Sequence, residues 1–210
     1  MTDAEVHSIE VPRTARYFVC GSEHPSETWF VLHGYGQLAE PFLKELRELE
    51  RPDRRLVAPE ALSRYYLKRG TGTVGASWMT REQRTSEIRD TLRYLDLVHE
   101  TLAPASGALT AFGFSQGGAA AARWAVLGRT PVARLISYAC PLPSDLELER
   151  QAARVRALRW TFVLGAQDQS IDRAAFEAGL QRLRVAGCEP ELITFPGAHV
   201  LDSDVLRGLG

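Results

Sequence analysis

No two of the three cysteines, Cys20, Cys140 and Cys188, form a Cys-x-x-Cys pair. That spacing supports neither a zinc knuckle nor a redox pair, and an odd, scattered set reads as reduced, buried thiols. Charge of one sign is also missing: the net charge is −1, which gives no global field for nucleic acid. No apolar run approaches the ~20 residues of a membrane span, so no integral membrane association is expected. Met1-Thr2-Asp3-Ala4-Glu5 is acidic and without an apolar stretch, so no signal peptide is expected there and the cytoplasm is the default compartment. Internal repeats and low-complexity linkers are absent as well. What remains is an ordinary globular composition, 45% apolar and 24% charged over 210 residues. A chain of that length can bury roughly 70% of its unfolded surface, enough to fold as one domain without disulfide or metal.

The most informative segment is Gly113-Phe114-Ser115-Gln116-Gly117. It fits the Gly-x-Ser-x-Gly nucleophile elbow, in which a strand turns sharply into a helix and leaves a serine hydroxyl standing clear of the sheet. The pattern alone is weak, but its context is present. Ala108–Phe114 is a short apolar run following Ser106-Gly107, as suits a strand buried on both faces of a parallel sheet. Gly117–Leu127 follows with a run of four consecutive alanines and stops at Gly128, as suits a helix packed closely on that sheet.

Other elements alternate in the same way. Val6–Val11 and Ala15–Cys20 read as two strands joined at Pro12-Arg13, forming an antiparallel edge hairpin. Strands follow at Thr28–Leu32, Arg55–Pro59, Arg134–Ala139, Trp160–Leu164 and Glu191–Phe195. Helices are expected at Ala39–Glu50, Glu82–Leu102, Leu146–Arg156 and Arg173–Ala186, with a short one at the end. In Glu82–Leu102 the apolar residues Ile88, Leu92, Leu95, Val98 and Leu102 share one face. Strand–helix alternation implies crossovers and a mainly parallel sheet, with chemistry at the carboxyl ends of the strands. The expected fold is therefore α/β, of the α/β-hydrolase type, with no large lid domain.

A serine nucleophile needs a base and a group to orient that base, and in this architecture they follow it in the order Ser, acid, His. Of the five histidines only His199 follows Ser115. It stands in Phe195-Pro196-Gly197-Ala198-His199, just past the last strand. The acid belongs after the penultimate strand, where Gly165-Ala166-Gln167-Asp168 supplies Asp168. Asp172, directly before Arg173-Ala174-Ala175-Phe176, reads instead as a helix N-cap. Acylation also needs oxyanion donors. The backbone N–H of Gln116 is one. The loop His33-Gly34-Tyr35-Gly36 supplies the other, at Tyr35 with Gly34 as fallback, and His33 reads as a structural tie for that loop.

With these segments in hand, the chain resembles the phospholipase/carboxylesterase family of α/β-hydrolases, which includes small carboxylesterases, acyl-protein thioesterases and lysophospholipases. The matching residues are Leu32-His33-Gly34-Tyr35-Gly36, Gly113-Phe114-Ser115-Gln116-Gly117-Gly118, Gly165-x-x-Asp168 and Gly197-x-His199. The resemblance implies Ser115 as nucleophile, His199 as base, Asp168 as orienter, Tyr35 and Gln116 as oxyanion donors, no cofactor and no metal. Two loops depart from the family pattern. Gly70–Met79 stands where Trp-Phe-Asp is often found, and Gln169-Ser170-Ile171-Asp172 stands where Pro-Val-Val-Pro often continues the acid loop. Leu62–Arg81 is the expected substrate-covering loop. There Tyr65, Tyr66, Trp78 and Met79 either line an apolar pocket or pack the loop onto the body, and Arg64, Lys68, Arg69 and Arg81 cluster. The expected activity is carboxylic ester hydrolysis on a small-molecule substrate. The alternatives are an acyl-thioesterase or lysophospholipase on the same triad, or a non-catalytic binding protein of the same fold. The oligomeric state is left open, a homodimer included.

Overall fold

The computed structural model describes residues 4–68, 70–102 and 107–210. Of the residues named above, Met1, Thr2, Asp3, Arg69 and Ser106 lie outside them. The chain opens with β1 (Tyr17–Gly21), β2 (Glu27–Leu32), α1 (Ala39–Glu45), β3 (Arg54–Pro59) and a pair of short strands, β4 (Ser63–Tyr66) and β5 (Val74–Ser77). It continues through α2 (Arg84–Leu102), β6 (Ala108–Phe114), α3 (Gln116–Leu127), β7 (Arg134–Tyr138), α4 (Ala152–Ala157) and β8 (Arg159–Gly165). It ends with α5 (Arg173–Val185), β9 (Glu191–Phe195) and α6 (Ser203–Gly208). Seven strands form one sheet in the order β1-β3-β2-β6-β7-β8-β9. Within this sheet, among the described residues, only β1 runs antiparallel to its neighbour. Among the described residues no helix is long and apolar enough to cross a membrane.

The sheet divides the interior into two cores because successive strand residues point to opposite faces. On β2, Phe30 and Leu32 join one core with Leu95, Val98, Trp124, Val155, Phe176 and Leu180 from α2, α3, α4 and α5. Trp29 and Val31 join the other with Ala39 and Phe42 of α1 and Leu206 of α6. The central strands are largely apolar because both faces are covered, and the polar Thr110, Ser137 and Thr161 within them are buried as well. In β6, Leu109 to Phe114 are all buried.

Four expectations are corrected. Val6–Val11 forms no strand, and its Val6, Ile9 and Val11 side chains stand in solvent, each more than 70% exposed. β-branched residues make a strand only where a face is buried, and this segment has none. It is held by side-chain ion pairing of Glu10 with Arg93 at 2.8 Å. The antiparallel edge is therefore β1 on β3, with Tyr17 opposite Pro59, and not an N-terminal hairpin. The helix expected over Ala39–Glu50 stops at Glu45 and resumes as a 3-10 turn, Arg47–Leu49. The one expected over Leu146–Arg156 is a 3-10 turn, Leu148–Gln151, followed by α4. Leu62–Arg81 is no plain loop: β4 and β5 pair antiparallel within it, Ser63 opposite Ser77.

Candidate active site

Ser115 lies between β6 and α3 with φ 52° and ψ −122°. A non-glycine residue in that region is strained by about 1–3 kcal/mol and persists only where its surroundings over-determine it. Here they do. The Ser115 N–H donates to the Tyr138 carbonyl of β7 at 2.8 Å, and its carbonyl accepts from Gly118 N–H at 2.8 Å. The flanking glycines are required by close approach. A Cβ on Gly113 would stand 2.2 Å from the Gly117 carbonyl oxygen, and one on Gly117 would stand 2.1 Å from that of Leu32.

The three candidate residues meet at the carboxyl ends of β6, β8 and β9. His199 Nε2 is 2.9 Å from Ser115 Oγ, and His199 Nδ1 is 2.7 Å from Asp168 Oδ2. With the ring proton on Nδ1 donated to Asp168, Nε2 is left to accept from the serine hydroxyl. The Asp168 side chain is wholly buried, whereas that of His199 is 28% exposed. A buried carboxylate must be hydrogen-bonded, and Asp168 also accepts from Ser170 N–H at 2.8 Å. The acid and base loops are laced together: Ala166 N–H donates to the Phe195 carbonyl and Gln167 N–H to that of Gly197, both at 2.8 Å. The Phe114 ring supports the imidazole from 5.1 Å. Asp172 caps α5, accepting from Ala175 N–H at 3.1 Å, so the two aspartates divide as the sequence suggests.

His33 is completely buried. Its Nδ1 is 2.8 Å from the Gly34 carbonyl, and its Nε2 accepts from Ala61 N–H at 3.1 Å. Burial holds its ring below the usual histidine range, so it stays neutral and ties the loop. In that loop the Gly34 N–H is already taken by Gln37 Oε1 at 2.7 Å. Among the described residues the Tyr35 and Gln116 N–H groups meet no acceptor, as expected of a turn and of the first residue of a helix. Gly34 therefore drops out as the fallback donor.

The four aromatic and thioether candidates separate. Trp78 is buried; its indole N–H donates to the His33 carbonyl at 2.8 Å and its ring packs 5.0 Å from the imidazole of His33. Met79 borders a small apolar cleft with Trp78, Ile88, Leu92, Gln116 and Ala120. The Tyr65 ring lies 5.5 Å from that of Tyr35 and its hydroxyl is buried, without a hydrogen-bond partner among the described residues. Tyr66 points to the opposite side of β4 and is 70% exposed. Of the basic residues in this segment, Arg64 pairs with Glu60, Lys68 and Arg81 are exposed, and Arg69 lies outside the described residues. Cys140 and Cys188 are buried and Cys20 half-buried, and burial pushes all three thiols up, that of Cys140 to about 11. Among the described residues no three His, Cys, Asp or Glu gather as a metal site. Sequence reasoning missed Gln37, Gly75, Ser77 and the amide of Gln116, which connect the loops. None leaves a periodic signal, and only the place of Gln116 beside Ser115 hinted at a role.

The arrangement can relay a proton from a serine hydroxyl to an oriented imidazole beside free backbone donors. Among structures of similar fold, an acyl-protein thioesterase 2 from Zea mays superposes with a TM-score of 0.76 at 18% identity, covering 93% of this chain and 98% of its own. Esterase PE8 gives 0.72 at 20% identity over 94% and 96%. A carboxylesterase from Mesorhizobium loti gives 0.73 at 18% identity over 93% of both chains. A search of curated protein sequences finds no match. A sequence profile described as serine hydrolase (FSH1) matches residues 25–203, which include Ser115, Asp168 and His199. The chain belongs to the serine hydrolase (FSH1) family, and its fold is that of a phospholipase/carboxylesterase-type α/β-hydrolase.

Proposed function

We propose that this hydrolase is a carboxylesterase working through Ser115, His199 and Asp168 and an acyl-enzyme intermediate. The observation that carries the reading is the continuous contact from Ser115 Oγ through His199 to the buried Asp168, at 2.9 and 2.7 Å. His199 Nε2 takes the hydroxyl proton as Ser115 Oγ bonds to the ester carbonyl carbon. The carbonyl electron pair moves onto oxygen, where the Tyr35 and Gln116 N–H groups hold it. Each such donor contributes about 3 kcal/mol in the transition state. The intermediate collapses, and the departing alkoxide takes the proton from His199 Nε2. Water then enters by the same route, gives its proton to His199, and releases the acid with Ser115 restored. Asp168 accepts from Nδ1–H and fixes the ring tautomer. Protons and electrons balance over this cycle with no added redox or metal step.

The same reading makes the chain one catalytic domain acting in the cytoplasm on a small-molecule ester. Ser115→Ala in a p-nitrophenyl ester assay tests it: turnover is expected to fall at least about a thousandfold. Unchanged turnover in the purified variant would sink the assignment. Failure of a fluorophosphonate to label Ser115 would favour a binding protein on this fold. The maize neighbour is an acyl-protein thioesterase, and a thioester would be attacked identically. Matched esters and thioesters of graded acyl length, with a lysophospholipid beside them, decide the leaving group and chain length.

A further inference from the structure

The side chain of Gln116 makes no bond to its own helix. Its Oε1 accepts from Trp78 N–H at 3.0 Å, and its Nε2 donates to the Met79 carbonyl at 2.8 Å. The Ser77 hydroxyl lies 3.3 Å from Oε1 and 3.2 Å from Nε2. These three residues are the end of β5 and the turn beyond it. At its other side β5 is joined to the loop after β2. Gly36 N–H donates to the Ala76 carbonyl at 2.9 Å, and Ala76 N–H donates to the Gln37 carbonyl at 3.1 Å. A Cβ on Gly75 would stand 2.3 Å from the Gly36 carbonyl oxygen, so glycine is needed for that approach. Trp78 adds its bond to the His33 carbonyl. Thus β5 and its following turn touch both segments that carry a free N–H, the one at Tyr35 and the one at Gln116.

We propose that the Gln116 side-chain amide is a positioning residue, clamping β5 against the nucleophile elbow so that the Tyr35 and Gln116 N–H groups converge on one oxyanion. The inference rests on the reading of this site as a serine esterase. Two donors help a transition state only when both lie about 2.7–3.1 Å from the same oxygen. They come from segments far apart in sequence, and their separation is set by whatever spans them. A primary amide can accept from one backbone group and donate to another in the same plane, which is how Gln116 meets Trp78 and Met79. A side chain lining the substrate pocket would keep its polar atoms for the substrate, whereas both ends of this amide are bonded inside the protein. The hairpin that the sequence casts as a cover is then a brace.

Gln116→Met keeps length and removes both polar ends. Its kcat on a p-nitrophenyl ester is expected to fall about 10- to 100-fold, because a misplacement below 1 Å already weakens a positioned donor. KM should change less than about 3-fold. Binding of a trifluoromethyl ketone, whose hemiketal oxygen needs the same donors, should weaken in proportion to kcat. Trp78→Phe, which loses the indole bond to His33 and part of the buried ring but keeps the Trp78 N–H that Gln116 accepts from, should lower kcat in the same direction. Asp96→Asn, a distant buried change, is the control, expected to lower the melting temperature with kcat intact. The proposal is overturned if Gln116→Met keeps kcat within twofold, if KM rises while kcat holds, or if the ketone binds as to wild type. It is equally overturned if the control loses kcat in step with its melting temperature. Ser115→Ala separates the two levels: an active Ser115→Ala removes the esterase reading itself. An inactive one beside a fully active Gln116→Met removes only the brace.

Discussion

Gly117→Ala adds one methyl group at the tightest point of the candidate site. Its Cβ would stand 2.1 Å from the Leu32 carbonyl oxygen, 2.5 Å from that of His33 and 2.6 Å from the Leu32 carbonyl carbon. These are backbone atoms, more than about 1 Å inside van der Waals contact. Leu32 cannot yield easily, since it closes β2, is fully buried and is paired in register with Gly113. His33 is fixed through Ala61 and Gly34. Overpacking of this kind costs about 1–3 kcal/mol, and rigid backbone places it at the upper end. Alanine returns about 1 kcal/mol as a better helix residue in α3. The net loss is about 2 kcal/mol, a fall of about 4–8 °C in melting temperature for a chain of this size. The first turn of α3 must also move away from the loop after β2, separating the Gln116 and Tyr35 N–H groups by up to about 1 Å, so kcat should fall about a hundredfold. Thermal unfolding and p-nitrophenyl ester turnover read the two effects. Gly208→Ala is the matched control, since a Cβ there meets nothing within 4 Å, and both readouts should stay near wild type. If Gly117→Ala melts and turns over as the wild type does, the close approach of helix and strand is wrong, and with it the account of the elbow.

Asp168→Asn keeps the shape of the acid but removes the charge that selects the Nδ1–H tautomer of His199; kcat should fall about 10³- to 10⁴-fold with little change in melting temperature, read by turnover and calorimetry. Asp96 tests pH-dependent stability. Burial alone would raise its carboxyl, but bonds from Arg129 N–H, the Trp124 indole and Thr130 N–H and hydroxyl outweigh it and hold the carboxyl below the usual range. A depressed folded value means that the stabilisation is present above the unfolded value of about 3.9 and is lost as pH falls through the folded one. Asp96→Asn should therefore cost about 2 kcal/mol at pH 7 and flatten the loss of stability below about pH 4, measured by urea unfolding across that range.

Elements with a clear strand or helix pattern bounded by turn residues were legible in the sequence. β6 and β9 run over the expected residues, and β2, β3, β7, β8, α3 and α5 differ by one or two at their ends. The meeting of Ser115, Asp168 and His199 in space was legible for another reason: a fixed chain order and a strand-end address leave few candidates. What could not be read was whatever depends on a partner rather than on a period. Val6–Val11 has strand composition but nothing to lie against. Leu62–Arg81 hides a hairpin because Gly70 and Gly72, both at positive φ, and Gly75 read as loop when taken alone. The bonds of Gln116 and Gln37 join positions with no sequence relation, and amides carry no hydrophobic signature.

The base and the acid are laced to one another across β8 and β9, and β9 is the outermost strand. Of its five residues only Phe195 is buried, whereas Ser115 is anchored between strands covered on both faces. Ser115 is thus seated among strands covered on both faces, and His199 follows a strand at the margin. Amide protons in the middle of the sheet exchange only with global unfolding, while edge segments open locally at smaller free energies. A transient release of β9 would leave Ser115 strained and in place, with no base beside it. On the proposed mechanism, hydrolysis would then be lost at a smaller free energy than the fold that carries it.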